Sequence, residues 1–119
     1  MSPWLAAPLK NCVLTQRLAA LPSALGSKLA GAVTALKPQR IWIFGSRARG
    51  DARETSDFDI AFQLSPGTER QWTHFVLAME ESPPSLHKYD LVDFSSASAE
   101  LKAKIKEEGI LLYEKDQKV

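Results

Sequence analysis

The chain has 119 residues, of which 45% are hydrophobic and 24% charged, and a formal net charge of +1. This length fits one domain with a modest core, and the composition is that of a globular protein rather than a disordered one. A net charge this close to zero argues against a general nucleic-acid-binding protein. The single cysteine, Cys12, excludes an internal disulfide and a cysteine-based zinc cluster.

No stretch of the sequence approaches the roughly 20 apolar residues that a membrane span needs. The first ten residues lack a basic start and contain Pro8, so they predict a loose leader rather than a signal peptide. We therefore expect a single cytoplasmic domain over residues 1–119 that makes no membrane contact.

The first part of the chain predicts two helical segments and a buried strand. Apolar residues recur at helical spacing over residues 13–36, with a break at Pro22 and with Ser23 as the expected N-cap of the second segment. Pro38 ends this pattern. The run RIWIF, residues 40–44, is rich in β-forming residues and apolar on both faces, as in a strand inside a sheet.

The sequence DFDIAF, residues 57–62, is the clearest strand pattern in the chain. Its large apolar side chains alternate with two aspartates, Asp57 and Asp59, so both carboxylates project from one face. The opposite face consists of Phe58, Ile60 and Phe62.

A capping box and an apolar stripe predict a helix after the turn at Pro66-Gly67. Thr68 and Gln71 stand at the spacing of such a box. The inner face of this helix consists of Trp72, Phe75, Val76 and Met79. After the loop SPPS, the segment YDLVDF, residues 89–94, predicts another strand.

The last part of the chain predicts a helix and an edge strand. The helix runs from about Ala97 to Glu108 and ends at Gly109, a residue typical of C-terminal caps. Residues 110–113 then predict a strand at the edge of the sheet. The whole pattern indicates an α/β (α+β) domain, in which helices flank a small mixed β-sheet.

The spacing of Asp57 and Asp59 suits metal binding. Residues two apart on a strand have Cα atoms about 6–7 Å apart and face the same way, so their carboxylates can converge. Close carboxylates repel each other unless a cation lies between them. Hard ions such as Mg²⁺ or Mn²⁺ prefer oxygen ligands, and two such ions suit a pair of this kind. The alternative is a solvated strand face.

The residues just before this strand could bind phosphate. Gly45 directly follows a buried strand and lets the backbone turn sharply and approach a ligand. Ser46 offers a hydroxyl donor, and Arg47, Arg49 or Arg53 can add charge-assisted hydrogen bonds. The alternative is an ordinary turn with solvated arginines. A phosphate-binding turn beside metal-binding carboxylates is what nucleoside triphosphate chemistry requires.

Taken together, these motifs resemble a known family. The string FGS, ten intervening residues and then DFDI is similar to the signature of the DNA polymerase β-like nucleotidyltransferase superfamily. The fuller string GSRARGDARETSDFD resembles the minimal nucleotidyltransferases (MNT proteins), and the ending EEGILLYE is typical of them. The resemblance covers about residues 40–113 and implies a polymerase β-like fold.

The resemblance implies a third carboxylate on a later strand, which joins the first two around the metals and helps to activate the attacking hydroxyl. Asp90 fits this role best. Asp93 is the fallback, since it lies three residues on and therefore faces the opposite side of the strand. The catalytic and metal-binding set implied is Asp57, Asp59 and Asp90.

The same resemblance implies the nucleotide site and the cofactors. Gly45 and Ser46 would hold the triphosphate of ATP, with Arg47 and Arg49 as further phosphate contacts. Two Mg²⁺ ions are expected, with Mn²⁺ as the substitute. The nucleotide itself is an expectation from the family, because base contacts are not part of the motif.

Minimal nucleotidyltransferases are encoded beside a small all-α partner of the HEPN or substrate-binding-bundle type, often as a toxin–antitoxin pair. The resemblance therefore implies that this chain transfers AMP from ATP to a tyrosine of a helical toxin and acts as the antitoxin. Two alternatives stay open. The chain could be a non-catalytic module that neutralises its partner by binding alone. It could also modify a small molecule such as an aminoglycoside, for which a homo-oligomer would supply the pocket.

Overall fold

The computed structural model describes residues 12–14, 21–53 and 56–115. Within these ranges the strands are β1 Cys12–Leu14, β2 Arg40–Phe44, β3 Phe58–Gln63, β4 Tyr89–Asp93 and β5 Ile110–Lys115. The helices are α1 Ser23–Leu36, α2 Ser46–Arg49, α3 Glu69–Glu81 and α4 Ala99–Glu108, with a 3₁₀ turn at Phe94–Ser96.

The described strands form one sheet in the order β1-β5-β2-β3-β4. The pairs β1–β5, β5–β2 and β2–β3 are antiparallel, whereas β3 and β4 are parallel. The expected small mixed sheet with flanking helices is therefore confirmed. Among the residues described, no helix is long and apolar enough to cross a bilayer.

Strand alternation gives the sheet two apolar faces, each covered by helices. The larger core lies between the sheet and helices α1 and α3, and its fully buried members include Leu25, Leu29, Ile41, Ile60 and Phe62. The smaller core lies on the α4 side and consists of Trp42, Phe44, Ala61, Phe94 and Ile105. Because the smaller core is confined to part of its face, polar residues of β3 and β4 can reach solvent on the α4 side.

The predicted start of the first helix is wrong. Residues 12–14 form strand β1, which pairs with β5 about a hundred positions later in the chain. The helix begins at Ser23, and the N-cap position belongs to Pro22 without a side-chain cap. A pairing so distant in sequence leaves no signal in local periodicity. The expected loose leader, residues 1–10, lies outside the described residues.

The predicted capping box is also wrong. Thr68 occupies the N-cap position of α3, but its hydroxyl donates to the carbonyl oxygen of Ser65 (2.7 Å) and caps no helix N–H. The cap of α4 belongs instead to Ser98, whose Oγ accepts from the N–H of Leu101 (3.1 Å).

The last strand is present but is not at the edge. β5 lies between β1 and β2, with an antiparallel partner on each side. Gly109 does end α4, and its N–H donates to the carbonyl oxygen of Ile105 (2.7 Å). Only the position of β5 within the sheet differs from expectation, because that position depends on strand order and not on local sequence.

Candidate active site

Parallel pairing of β3 and β4 brings two predicted site residues together. Asp59 lies opposite Asp90 in the register of the two strands. Side chains in register project from the same face of a sheet, so both carboxyls lie on the α4 side. On the other flank of β3, Asp59 is in register with Phe44, the last residue of β2. Asp57 lies just before β3 and is exposed.

The electrostatics of Asp59 reflect this crowding. Burial raises the pKa of Asp59 above its ordinary value of 3.8, and the negative charge of Asp90, a hydrogen bond with Asp90 and the charge of Asp57 raise it further. Lys104 of α4 acts in the opposite direction. Three carboxyl groups therefore interact on one face, and their charge is only partly compensated by protein cations within reach of Asp59.

These donors fit a divalent metal by their chemistry. Carboxylate oxygens are the ligands that Mg²⁺ and Mn²⁺ prefer, and a cation would remove the repulsion that raises the pKa of Asp59. In the part of the chain that the structure describes, no three His, Cys, Asp or Glu side chains converge closely enough to hold a metal as they stand. Asp59 and Asp90 form the close pair, and exposed Asp57 would complete a set by turning toward them.

Gly45 brings the backbone of the preceding turn against Asp59. Its φ of 74° and ψ of −154° lie in a region that is essentially restricted to glycine. A Cβ at this position would overlap with Oδ2 of Asp59. The glycine therefore lets the start of α2, at Ser46, lie directly beside the carboxyl pair.

The two predicted phosphate-binding arginines have partners within the chain. Arg47 donates from Nη2 to the carbonyl oxygen of Ser56 (2.7 Å), and its guanidinium lies over the ring of Phe58. Arg49 pairs with Asp51 (3.2 Å) and with Glu108 of α4 (3.0 Å). That either arginine contacts phosphate stays a prediction.

The structure separates Asp90 from Asp93. Asp93 is in register with Phe62, whose side chain belongs to the core on the α1 and α3 side. Its carboxylate accepts from the N–H of Ser95 and from the hydroxyl of Ser96, both at 3.1 Å, and so caps the 3₁₀ turn. Asp90 is thus the residue beside Asp59, because three positions along a strand reverse the direction of a side chain.

Two features near the site are not evident from the sequence. Lys104 belongs to a run of alternating lysines that is typical of a solvated helix face. The only sequence signal that distinguishes it is its position directly before Ile105, which is buried. The second feature is a cleft of about 440 Å³ between α3 and β4, which Asp90 borders. Its walls include Val76, Met79 and Leu91.

The comparisons with known proteins agree with this geometry. The family model described as polymerase β, nucleotidyltransferase, matches residues 31–118. No curated protein matches the chain.

Solved structures give more specific relatives. A toxin–antitoxin complex solved with AMP-PNP contains a chain that is 28% identical, with a TM-score of 0.55 and coverage of 76% of this chain and 74% of that one. A mutant of the toxin–antitoxin MntA-HpeT is 27% identical, with a TM-score of 0.59 and coverage of 80% and 73%. A candidate nucleotidyltransferase from Sulfolobus solfataricus, at 21% identity, TM-score 0.53 and coverage of 86% and 87%, shares the fold. The resemblance to antitoxin-type minimal nucleotidyltransferases is confirmed, and the chain belongs to the polymerase β nucleotidyltransferase family.

Proposed function

We propose that this chain transfers AMP from ATP to a tyrosine hydroxyl of a small all-α toxin and thereby acts as an antitoxin. The observation that carries the proposal is the placement of Asp59 beside Asp90 and against Gly45. The similarity to a toxin–antitoxin complex solved with AMP-PNP supports both the nucleotide and the kind of partner.

Each site residue has a role in this proposal. Gly45 and Ser46 hold the triphosphate, and the missing side chain of Gly45 lets the phosphates approach the carboxyl pair. Mg²⁺, when bound, neutralises phosphate charge and orients the triphosphate. The residues that would hold it are Asp57, Asp59 and Asp90.

The order of the strands determines the side from which the acceptor approaches. Gly45 directly follows β2, Asp59 lies on β3 and Asp90 on β4, so the phosphate turn and the two carboxylates follow one another across the sheet. In-line displacement needs the acceptor opposite the leaving pyrophosphate. The acceptor therefore approaches from the β4 side. Its oxygen bonds to the α-phosphorus, the bond to pyrophosphate breaks, and the hydroxyl proton passes to Asp90.

The proposal is tested by incubating the protein with α-labelled ATP, Mg²⁺ and the helical protein encoded beside it. We expect label on the partner, and a loss of about 10²-fold or more in Asp59→Asn and Asp90→Asn. Asp93→Asn is the matched control, since it makes the same change on the opposite face of β4 and keeps a side chain that can cap. It should retain the wild-type rate.

Two results would contradict the proposal. One is the absence of transfer from any nucleoside triphosphate to the partner. The other is full neutralisation of the toxin by Asp59→Asn and Asp90→Asn, which would show that binding alone suffices.

A further inference from the structure

Residues next in sequence to the proposed site contact one another on the opposite face of the sheet. Arg47 follows Ser46, Phe58 separates the two aspartates of the DFD motif, and Tyr89 precedes Asp90. We call Arg47, Phe58 and Tyr89 the stack. Each part of the site that is proposed to bind phosphate or metal is therefore adjacent in sequence to one residue of the stack.

The stack is closely packed around a buried ring. Phe58 is 3% exposed. The guanidinium carbon of Arg47 lies 4.1 Å from its ring centroid. The ring of Tyr89 lies parallel to it, with a centroid distance of 5.2 Å and an interplanar angle of 8°. Arg47 also holds the carbonyl oxygen of Ser56, which fastens the loop that leads into β3.

Hydrogen bonds tie the loop before β4 to the same group. Ser85 Oγ hydrogen-bonds both to Tyr89 Oη (2.5 Å) and to Nδ1 of His87 (2.7 Å). The ring of His87 in turn meets Phe58 edge-on, with a centroid distance of 5.2 Å. Phe58 is thus the common contact of α2, β3 and the segment that enters β4.

The parts of the site need such support. Helix α2 has four residues, and a single turn is not stable by itself. Strand β4 is the last strand of the described sheet and has one strand neighbour, β3. Side-chain contacts must therefore set how Ser46 and Asp90 lie relative to the aspartates of β3.

We propose that the stack is a positioning device for the site, and that Arg47 acts through Phe58 rather than as a phosphate ligand. This inference rests on the proposed function for the identity of the site residues. Groups that orient metal ligands typically change metal affinity by about 10–100-fold when they are removed. The stack is expected to act in the same way, from the other face of the sheet.

The test compares Arg47→Met, Tyr89→Leu and the double variant. Arg70→Met is the matched control, since it removes the same charge from an exposed position on α3. Mn²⁺ affinity is measured by electron paramagnetic resonance on nucleotide-free protein, ATP affinity without metal by calorimetry, and folding by circular dichroism. Amide spectra of metal-free protein report the environment of Gly45 and Ser46.

We expect each single variant to weaken Mn²⁺ binding by about 10-fold, with folding retained. The double variant should lose no more Mn²⁺ affinity than the more strongly affected single variant. The reason is that both substitutions act through the ring of Phe58. Tyr89→Phe keeps the parallel ring and should keep most of the affinity. Tyr89→Leu should also shift the amide signals of Gly45 and Ser46, whereas Arg70→Met should change none of these properties.

Other results would overturn the inference. If Arg47→Met weakens metal-free ATP binding and leaves Mn²⁺ binding intact, Arg47 is a phosphate ligand. Losses that add in the double variant would show two independent effects. Failure of the proposed function can be distinguished from failure of this inference. In that case the wild-type protein would label no partner, but the stack variants would still lose Mn²⁺ affinity and Tyr89→Leu would still shift the amide signals.

Discussion

At the scale of single residues, the site depends on the absence of a side chain at Gly45. The backbone there adopts a conformation essentially restricted to glycine, and the space that a Cβ would need is taken by Asp59. The sequence shows a glycine directly after a predicted buried strand. Only the structure shows that this glycine lies against the carboxyl of Asp59.

Gly45→Ala should therefore destabilise the fold and disturb the site. We expect the free energy of unfolding, measured with urea, to fall by about 1–3 kcal/mol from backbone strain, and the Asp59 carboxyl to be displaced by the added methyl group. Gly50→Ala is the control, because Gly50 also has positive φ (85°) but no atom within 4 Å of a Cβ. Gly50 lies in the milder left-handed region, with ψ of 9°, so equal losses at the two positions would contradict the glycine-restricted conformation at Gly45.

Asp59 should make stability depend on pH in a defined direction. Its pKa in the folded protein is raised above 3.8 by burial and by neighbouring carboxylates, so the folded state holds the proton at pH values where the unfolded state has lost it. The free energy of unfolding therefore falls as pH rises from about 3.8 through the folded pKa. Asparagine does not titrate in this range, so the Asp59→Asn variant should not show this fall in the free energy of unfolding.

Urea unfolding of both proteins across this pH range checks the prediction. The variant should gain stability relative to wild type as pH rises to neutrality, and the difference should shrink below the ordinary pKa of an aspartate. Curves that stay parallel throughout would contradict it.

At the scale of elements, the position of β5 is the main departure from the sequence prediction. Loss of a side chain costs most where the surrounding structure is closely packed and a cavity remains. Leu112 of β5 is 1% exposed and packs in the larger core. Cross-strand contacts also hold β5, since Arg40 of β2 pairs with Glu114 (2.7 Å) and hydrogen-bonds to Gln63 of β3 (3.0 Å).

Leu112→Ala should therefore reduce the free energy of unfolding by about 2–5 kcal/mol, as measured by urea denaturation. The matched control is Leu86→Ala, because Leu86 is fully exposed and its removal leaves no cavity. A loss at Leu112 as small as that at Leu86 would place β5 outside the core.

The elements differ in how far the sequence predicts them, for physical reasons. β2, β3 and β4 have alternation or apolar runs that can be recognised locally, and the alternation also separates Asp90 from Asp93. β1 and the interior place of β5 depend on pairing between distant segments, which local patterns do not encode. The cap at Ser98 and the failure of Thr68 as a cap depend on side-chain rotation, which residue type alone does not determine.

At the scale of the whole molecule, the two faces of the sheet have different roles. The α4 face presents Asp59 and Asp90, and the ion pair between Arg49 and Glu108 joins α2 to α4 across it. The opposite face holds the larger core and the stack. The family signature in the sequence predicts the carboxylates, whereas the stack becomes visible only when three distant segments are brought together.

A crystal structure of the protein with Mg²⁺ and a non-hydrolysable ATP analogue is the decisive test of whether these residues form a nucleotide and metal site. We expect metal bound by Asp57, Asp59 and Asp90, with the triphosphate against Gly45 and Ser46 and the α-phosphate facing the β4 side. Asp57 turned away from the other two carboxylates, or a nucleotide bound elsewhere on the sheet, would contradict it.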